Sequence, residues 1–124
     1  MEKHNKVWES ELWIVNNEKY CGKLLKLNKG FRCSMHHHKI KHETFYVQSG
    51  RVLMELDGEE QIMEAMHSIE IPVGKQHRFT GLEDSEIFEF STQHFEDDSY
   101  RSSVSGPVQL PLYRKFQPMC PQLN

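Results

Sequence analysis

Apolar and polar residues along this chain change places at every second position far more often than at every third or fourth, so strands are predicted almost throughout. Runs rich in Val, Ile, Phe, Tyr and Leu are broken by Gly, Asn and Asp at intervals of roughly 8–12 residues, the spacing of sandwiches and barrels. Strands are predicted near 11–16 (ELWIVN), 22–28 (GKLLKLN), 32–39, 43–48 (ETFYVQ), 51–56 (RVLMEL), 60–65, 68–72 (SIEIP), 76–81 and 85–92 (SEIFEFST). Turns fall at NKG, QSGR, DGEE, PVGK and GLED, and Asp57-Gly58 between two alternating runs is a strong hairpin signal. From Ser102 to Asn124 the alternation stops and four of the five prolines appear. That tail is predicted as an extended arm laid over the domain or over a neighbouring subunit.

At 124 residues the chain is expected to form one domain, with the barrel over 1–101 and the arm over 102–124. A net charge of −3, with no excess of Lys or Arg, gives no sign of a nucleic-acid or membrane-surface partner. No apolar run approaches membrane-spanning length, and MEKHNKVWESELW lacks a secretory apolar segment, so a cytoplasmic location is expected. Cys21, Cys33 and Cys120 are odd in number and without CxxC spacing, which predicts free thiols.

Chemistry concentrates in CSMHHHKIKHETFYVQSG, residues 33–50, with four of the eight histidines. On a strand, residues i and i+2 share a face. Ser34, His36 and His38 should therefore face one way, and Cys33, Met35 and His37 the other. Glu43 opens the next strand and, on an antiparallel return, comes back beside the two histidines. His77 follows a Pro-x-Gly turn in IPVGKQH. Three imidazoles and a carboxylate can hold Zn, Mn, Fe, Co or Ni as a divalent ion while leaving positions open for water or substrate. His37 and His42 are expected at the surface or rim, and Cys33 in packing. Trp8, Trp13 and Tyr20 are expected in the core or a subunit contact.

These residues resemble the cupin superfamily. Its first motif, G-x5-H-x-H-x3-4-E-x6-G, is filled by Gly30, His36, His38, Glu43 and Gly50; its second is matched by Pro72, Gly74 and His77. Met66 stands where that second motif has its first Gly, and Gly81 where it has Asn. The resemblance implies an all-β fold, a double-stranded β-helix (jelly-roll-like) barrel, with one divalent transition metal on His36, His38, Glu43 and His77. The flanks WIVNNEKYCGKLL and FEFSTQHFEDDSYR are similar to sugar-metabolising cupins, namely lyxose/mannose isomerases and type II mannose-6-phosphate isomerase domains. Glu96, Asp97, Asp98 and Arg101 match their acidic segment.

That likeness implies a sugar or sugar-phosphate substrate. It favours an aldose–ketose isomerase or related enzyme working through a metal-held enediol. Glu89 is a candidate proton shuttle if its side chain faces inward and a solvated strand residue otherwise, and Arg101 either binds a substrate phosphate or pairs with the acidic cluster. Two further classes stay open: an Fe-dependent dioxygenase with the same ligands, and a non-catalytic sugar-binding cupin. Alternation in EIFEFST separates Ile87, Glu89 and Ser91 from Phe88 and Phe90 without saying which set faces inward. The acidic cluster 96–98 reads either as a solvated helix start or as part of a site. A homodimer is expected, with the N-terminal strand or the Pro-rich tail crossing over.

Overall fold

Neighbouring strands pair antiparallel throughout, and the topology follows from which hairpins are local and which strands are inserted. The computed structural model describes residues 1–110, over which thirteen strands and no helix form. Six strands make the first sheet: β1 (Glu2–Lys6), β2 (Glu9–Asn16), β3 (Cys21–Leu27), β6 (Glu43–Ser49), β9 (Ser68–Ile71) and β11 (Ser85–Ser91). Their order is β1-β2-β3-β11-β6-β9, so β11 is inserted between β3 and β6. The second sheet holds β4 (Phe31–Arg32), β5 (His36–His37), β7 (Arg51–Leu56), β8 (Glu59–Glu64), β10 (His77–Gly81), β12 (Tyr100–Arg101) and β13 (Gly106–Pro107). There β10 is central and pairs with β4, β5 and β7. This is the jelly-roll-like barrel expected from the strand pattern.

The core lies between the sheets. Leu25, Val47 and Ile87 from the first sheet meet Val52, Met54 and Phe79 from the second, all nearly or fully buried. Trp8 closes one end, its ring edge-on to Phe79 at 5.3 Å. A bulge in β2 between Trp13 and Val15 lets Trp13 pair with Lys23 and Val15 with Gly22, which adjusts the faces midway along the strand.

Some expectations need correction. The strand anticipated over 32–39 is two short pieces, β4 and β5, with residues 33–35 irregular between them. Alternation therefore lapses there: Cys33 packs in the buried core as expected, but it borders the same cavity as His36 and His38 and does not face away from them. No helix starts at 96–98, and Asp98 is buried. Of the aromatics expected in the core or a subunit contact, Trp8 is in the core as expected, and the exposure of Tyr20 rules out only its core alternative. The expected arm begins over the domain, one of its two alternatives, with Gly106 and Pro107 pairing with β4, and β1 pairs with β2. The rest of that arm, 111–124, lies outside the described residues.

Candidate metal centre

His36 and His38 enter the barrel from β5 and the turn after it, and His77 from the start of β10, directly opposite His36 in the ladder. A ligating nitrogen from each of the three lies within 4.8 Å of the other two, so the group could hold a metal ion. The rings of His36 and His77 are 4.3 Å apart and those of His36 and His38 5.1 Å. His37 turns away and stacks on Tyr100 at 5.2 Å.

Each of the three rings is held in the same way. The Nδ1–H of His36 donates to the Ser34 carbonyl at 2.7 Å, that of His38 to the Asp98 carbonyl at 2.8 Å, and that of His77 to the Lys75 carbonyl at 3.0 Å. A neutral imidazole donating from Nδ1 has its lone pair on Nε2. Three backbone carbonyls thus fix one tautomer three times, and the acceptors they leave converge. Burial, then the neighbouring His77, pushes the His36 pKa down to about 3, so this ring is neutral at neutral pH.

Glu43, at the start of β6, completes the donor set. Its Oε2 is 2.9 Å from His77 Nε2 and 3.2 Å from His38 Nε2, although it stands outside the mutually close three-histidine group. His77 Nε2 and both Glu43 oxygens are buried without a hydrogen-bond partner. Acceptors this close, with no proton between them, repel unless a cation sits among them. The residues therefore fit a divalent transition metal, both in donor chemistry and in their unmet need for positive charge.

Lys41 is the charged neighbour that sequence reasoning missed. Its ammonium, almost fully buried, lies 2.9 Å from Glu89 Oε2 and 3.4 Å from Glu43 Oε1, and donates to His94 Nδ1 at 3.0 Å. Burial would lower its pKa, but Glu89 and Glu43 outweigh burial and raise it. Burial would likewise raise the Glu43 carboxyl; the Lys41 ammonium instead holds it well below the usual carboxylate range. Burial and then Lys41 push the His94 pKa down to about 3, leaving this ring a neutral acceptor. Lys23 repeats the arrangement nearby, with Glu11 Oε1 at 3.4 Å and the Trp13 ring centre at 4.3 Å.

Glu89 lies inside. In β11 the set Ile87 and Glu89 is buried while Phe90 is exposed, which settles the question that the alternation left open. The Glu89 carboxylate accepts from Lys41 and, at 2.9 Å, from the Ser91 hydroxyl. It shares with His36, His38 and Glu43 the wall of a cavity of about 260 Å³, which Arg101 also lines. Arg101 has no ion pair among the described residues and is exposed at the rim. His42 is at the surface, 2.6 Å from Glu70.

Asp98 is the other residue that sequence reasoning misjudged. Its carboxylate accepts from the backbone N–H groups of Lys39, Ile40 and Lys41 at 2.9–3.2 Å, while its carbonyl holds His38. Of the two readings of the acidic run 96–98, a solvated helix start or part of a site, neither covers the whole run: Glu96 and Asp97 are exposed and Asp98 is buried.

A family model described as Cupin domain matches residues 23–90, more than half of the chain. The chain belongs to the cupin family. Polyketide synthase CurC of Streptomyces cyaneus is 37% identical over 60 residues, covering 48% of this cupin and 39% of that protein. This cupin thus spans about two-fifths of the length of that curated relative. Among solved structures, Streptomyces PAC13 with uridine superposes with a TM-score of 0.73 at 16% identity, covering 87% of this cupin and 86% of that chain. The capsular polysaccharide assembling protein CapF from Staphylococcus aureus gives a TM-score of 0.69 at 20% identity, over 83% of this cupin and 34% of that chain. At these identities the likeness is one of fold. No helix among the described residues is long and apolar enough to cross a membrane.

Proposed function

We propose that this cupin is a metal-dependent enzyme acting on a small carbohydrate, an aldose–ketose isomerase or related sugar-modifying enzyme. The observation that carries the reading is the juxtaposition, on one polar cavity, of a metal-type donor set and a buried carboxylate that is not part of it. His36, His38, Glu43 and His77 would hold the ion. When bound, it supplies a Lewis acid that polarises a carbonyl and offsets the charge that develops on its oxygen. Glu89 would take the proton from the carbon beside that carbonyl and return it to the adjacent carbon. Lys41 and Ser91 fix the carboxylate in place for this, and Arg101 at the rim would bind a phosphate or other anionic end of the substrate.

Size supports a small substrate, since about 260 Å³ falls below the roughly 300–1,000 Å³ of drug-sized ligand sites. The neighbours support carbohydrate chemistry by what they are called: one assembles capsular polysaccharide, and another holds uridine. A second reading, favoured by the match to CurC, gives the site a polyketide carbonyl compound instead. Both readings need the same step, proton removal beside a polarised carbonyl.

The test is anaerobic incubation in deuterated water of the full chain, loaded in turn with Mn²⁺, Fe²⁺, Co²⁺, Ni²⁺ and Zn²⁺. Free and phosphorylated sugars, and a 1,3-dicarbonyl compound, serve as probes and are followed by proton NMR. Interconversion of an aldose and its ketose with deuterium entering beside the carbonyl is expected. Glu89→Gln should slow it by about 10²–10⁴-fold with metal content unchanged. Exchange confined to the dicarbonyl selects the second reading. Turnover that appears only with O₂ would overturn both and select the dioxygenase class.

A further inference from the structure

Two lysines are buried on the wall of the cavity, and their donors are not used alike. The Lys41 ammonium is saturated, with Glu89 at 2.9 Å, His94 Nδ1 at 3.0 Å and Glu43 at 3.4 Å. Lys23, 2% exposed, has one polar partner among the described residues, Glu11 Oε1 at 3.4 Å. That is long for a charge-assisted bond. Its other neighbour is the Trp13 ring, whose centre is 4.3 Å away. An ammonium carries three N–H donors, so Lys23 keeps donors for the cavity that it lines. A buried cation held this loosely is destabilising unless a further acceptor meets it. Glu11 is underused in the same way. Its Oε1 takes the Trp13 indole N–H at 2.9 Å as well as Lys23, while its Oε2 accepts no hydrogen bond among the described residues. Burial would raise the Glu11 carboxyl, but Lys23 and then Lys6 hold it below its ordinary value, so the spare oxygen belongs to a carboxylate. Trp13 fixes the pair in place, with His4 stacked on its ring at 4.1 Å and His94 edge-on at 4.9 Å.

We propose that Lys23 and Glu11 form a hydroxyl-reading subsite, which holds the polyol end of the substrate away from the reacting carbons. The inference rests on the reading of the centre as one that acts on a carbohydrate. Register is the first argument. Lys23 lies directly across from Glu89, and Trp13 directly across from Lys23. In sheet order Glu43 is on β6, Glu89 on β11, Lys23 on β3 and Glu11 on β2. Polar groups thus run across the sheet, at about 4.8 Å per strand. They lead from a metal-type ligand, through the carboxylate that would move the proton, to a spare donor beside a spare acceptor. Chemistry is the second argument. A hydroxyl is donor and acceptor at once. An ammonium N–H and a carboxylate oxygen side by side therefore complement one hydroxyl, or two on adjacent carbons. A phosphate or carboxylate brings no donor for Glu11 Oε2 and is repelled by it. An alkyl or aryl end would leave both groups buried and unmet. The subsite therefore selects an uncharged, hydroxylated carbon chain and leaves any anionic end to Arg101 at the rim.

The probes are ribitol, xylitol and sorbitol, which carry hydroxyls and no carbonyl, with 1,5-pentanediol as a chain bare between its ends. Binding to the zinc-loaded full chain is followed by saturation-transfer NMR and by the Trp13 indole N–H signal, whose proton is bonded to Glu11. At least one alditol should bind, and pentanediol should bind about 10–100-fold more weakly. Lys23→Met and, separately, Glu11→Gln should each weaken alditol binding by about tenfold or more with zinc content unchanged. Lys19→Met, which removes an exposed lysine outside the cavity, should leave it as it was. Should either subsite variant fail to fold, the unaltered chain decides: its Trp13 signal should move to saturation with the alditol and stay in place with pentanediol. No alditol binding, equal binding of the diol, or full affinity in both subsite variants would overturn the proposal. So would a Trp13 signal that bound alditol leaves unmoved. All of this is read without turnover. A chain that isomerises no sugar, yet binds an alditol through Lys23 and Glu11, keeps the subsite and refutes the isomerase reading.

Discussion

Asp98 serves the centre through two separate groups. Its carboxylate collects three backbone donors of the turn after β5, and its carbonyl orients the His38 ring. Asp98→Ala removes the first function and leaves three amides without their acceptor. The expected cost is about 3 kcal/mol of stability, measured as a fall in denaturation midpoint. Because the turn also carries His38, zinc affinity in a competition titration should drop about 10–100-fold. His38→Ala should lose most of the metal by elemental analysis, whereas His37→Ala should keep it, since that ring packs on Tyr100. The His36/His38 pair was legible because a two-residue spacing survives even in a strand as short as β5. Asp98, Lys23 and Lys41 were not legible, because a charged residue reads the same in sequence whether it is solvated or buried among counter-charges. Only the fold says which residue from sixty positions away supplies the partner.

At the scale of strands and turns, the two departures from the second cupin motif have opposite meanings. Gly81 ends β10 against the turn after β3, where an added Cβ would lie 2.6 Å from the Asn28 carbonyl oxygen. Its own carbonyl accepts from Gly30 N–H at 2.8 Å, so the two segments are locked at close approach. Gly81→Ala should therefore destabilise the protein by about 1–3 kcal/mol in chemical denaturation. Met66 occupies a left-handed turn position, φ 74°, with its side chain in solvent. Met66→Gly relieves that conformation without removing a packed group and should raise stability by about 1 kcal/mol. The strands β2, β3, β6, β7, β8, β9, β10 and β11 were legible because each runs for four or more residues between turn signals. β1 was not: EKHNK is a polar edge strand held by β2 alone, and nothing apolar marks it. The break at 33–35 was not legible either, because Cys33 and Ser34 are small enough for either conformation.

For the whole molecule, the buried charges make stability depend on pH in one direction on the acid side. His36 and His94 titrate near 3 when folded and near 6.5 as free side chains, so between those values the unfolded chain binds protons that the folded chain refuses. Their contribution is complete above pH 6.5 and is lost on going down towards 3. Glu43, depressed below its free value of 4.5, adds a loss at lower pH still as its folded form is finally protonated. At pH 5 the deficit from His36 is on the order of 2 kcal/mol, with His94, nearer the surface, adding less. Thermal denaturation of metal-free protein should accordingly give a midpoint that is level above about pH 7 and falls steadily below 6. A midpoint that stayed level down to pH 4 would contradict the burial of these rings. The tie between His38 and Asp98 also acts in time, during synthesis. A nascent chain emerges with His36, His37, His38 and Glu43 long before residue 98, and until then nothing fixes the His38 tautomer or the turn that carries it. A metal ion taken up by this donor set would therefore be held firmly only once residue 98 has folded back onto the turn after β5.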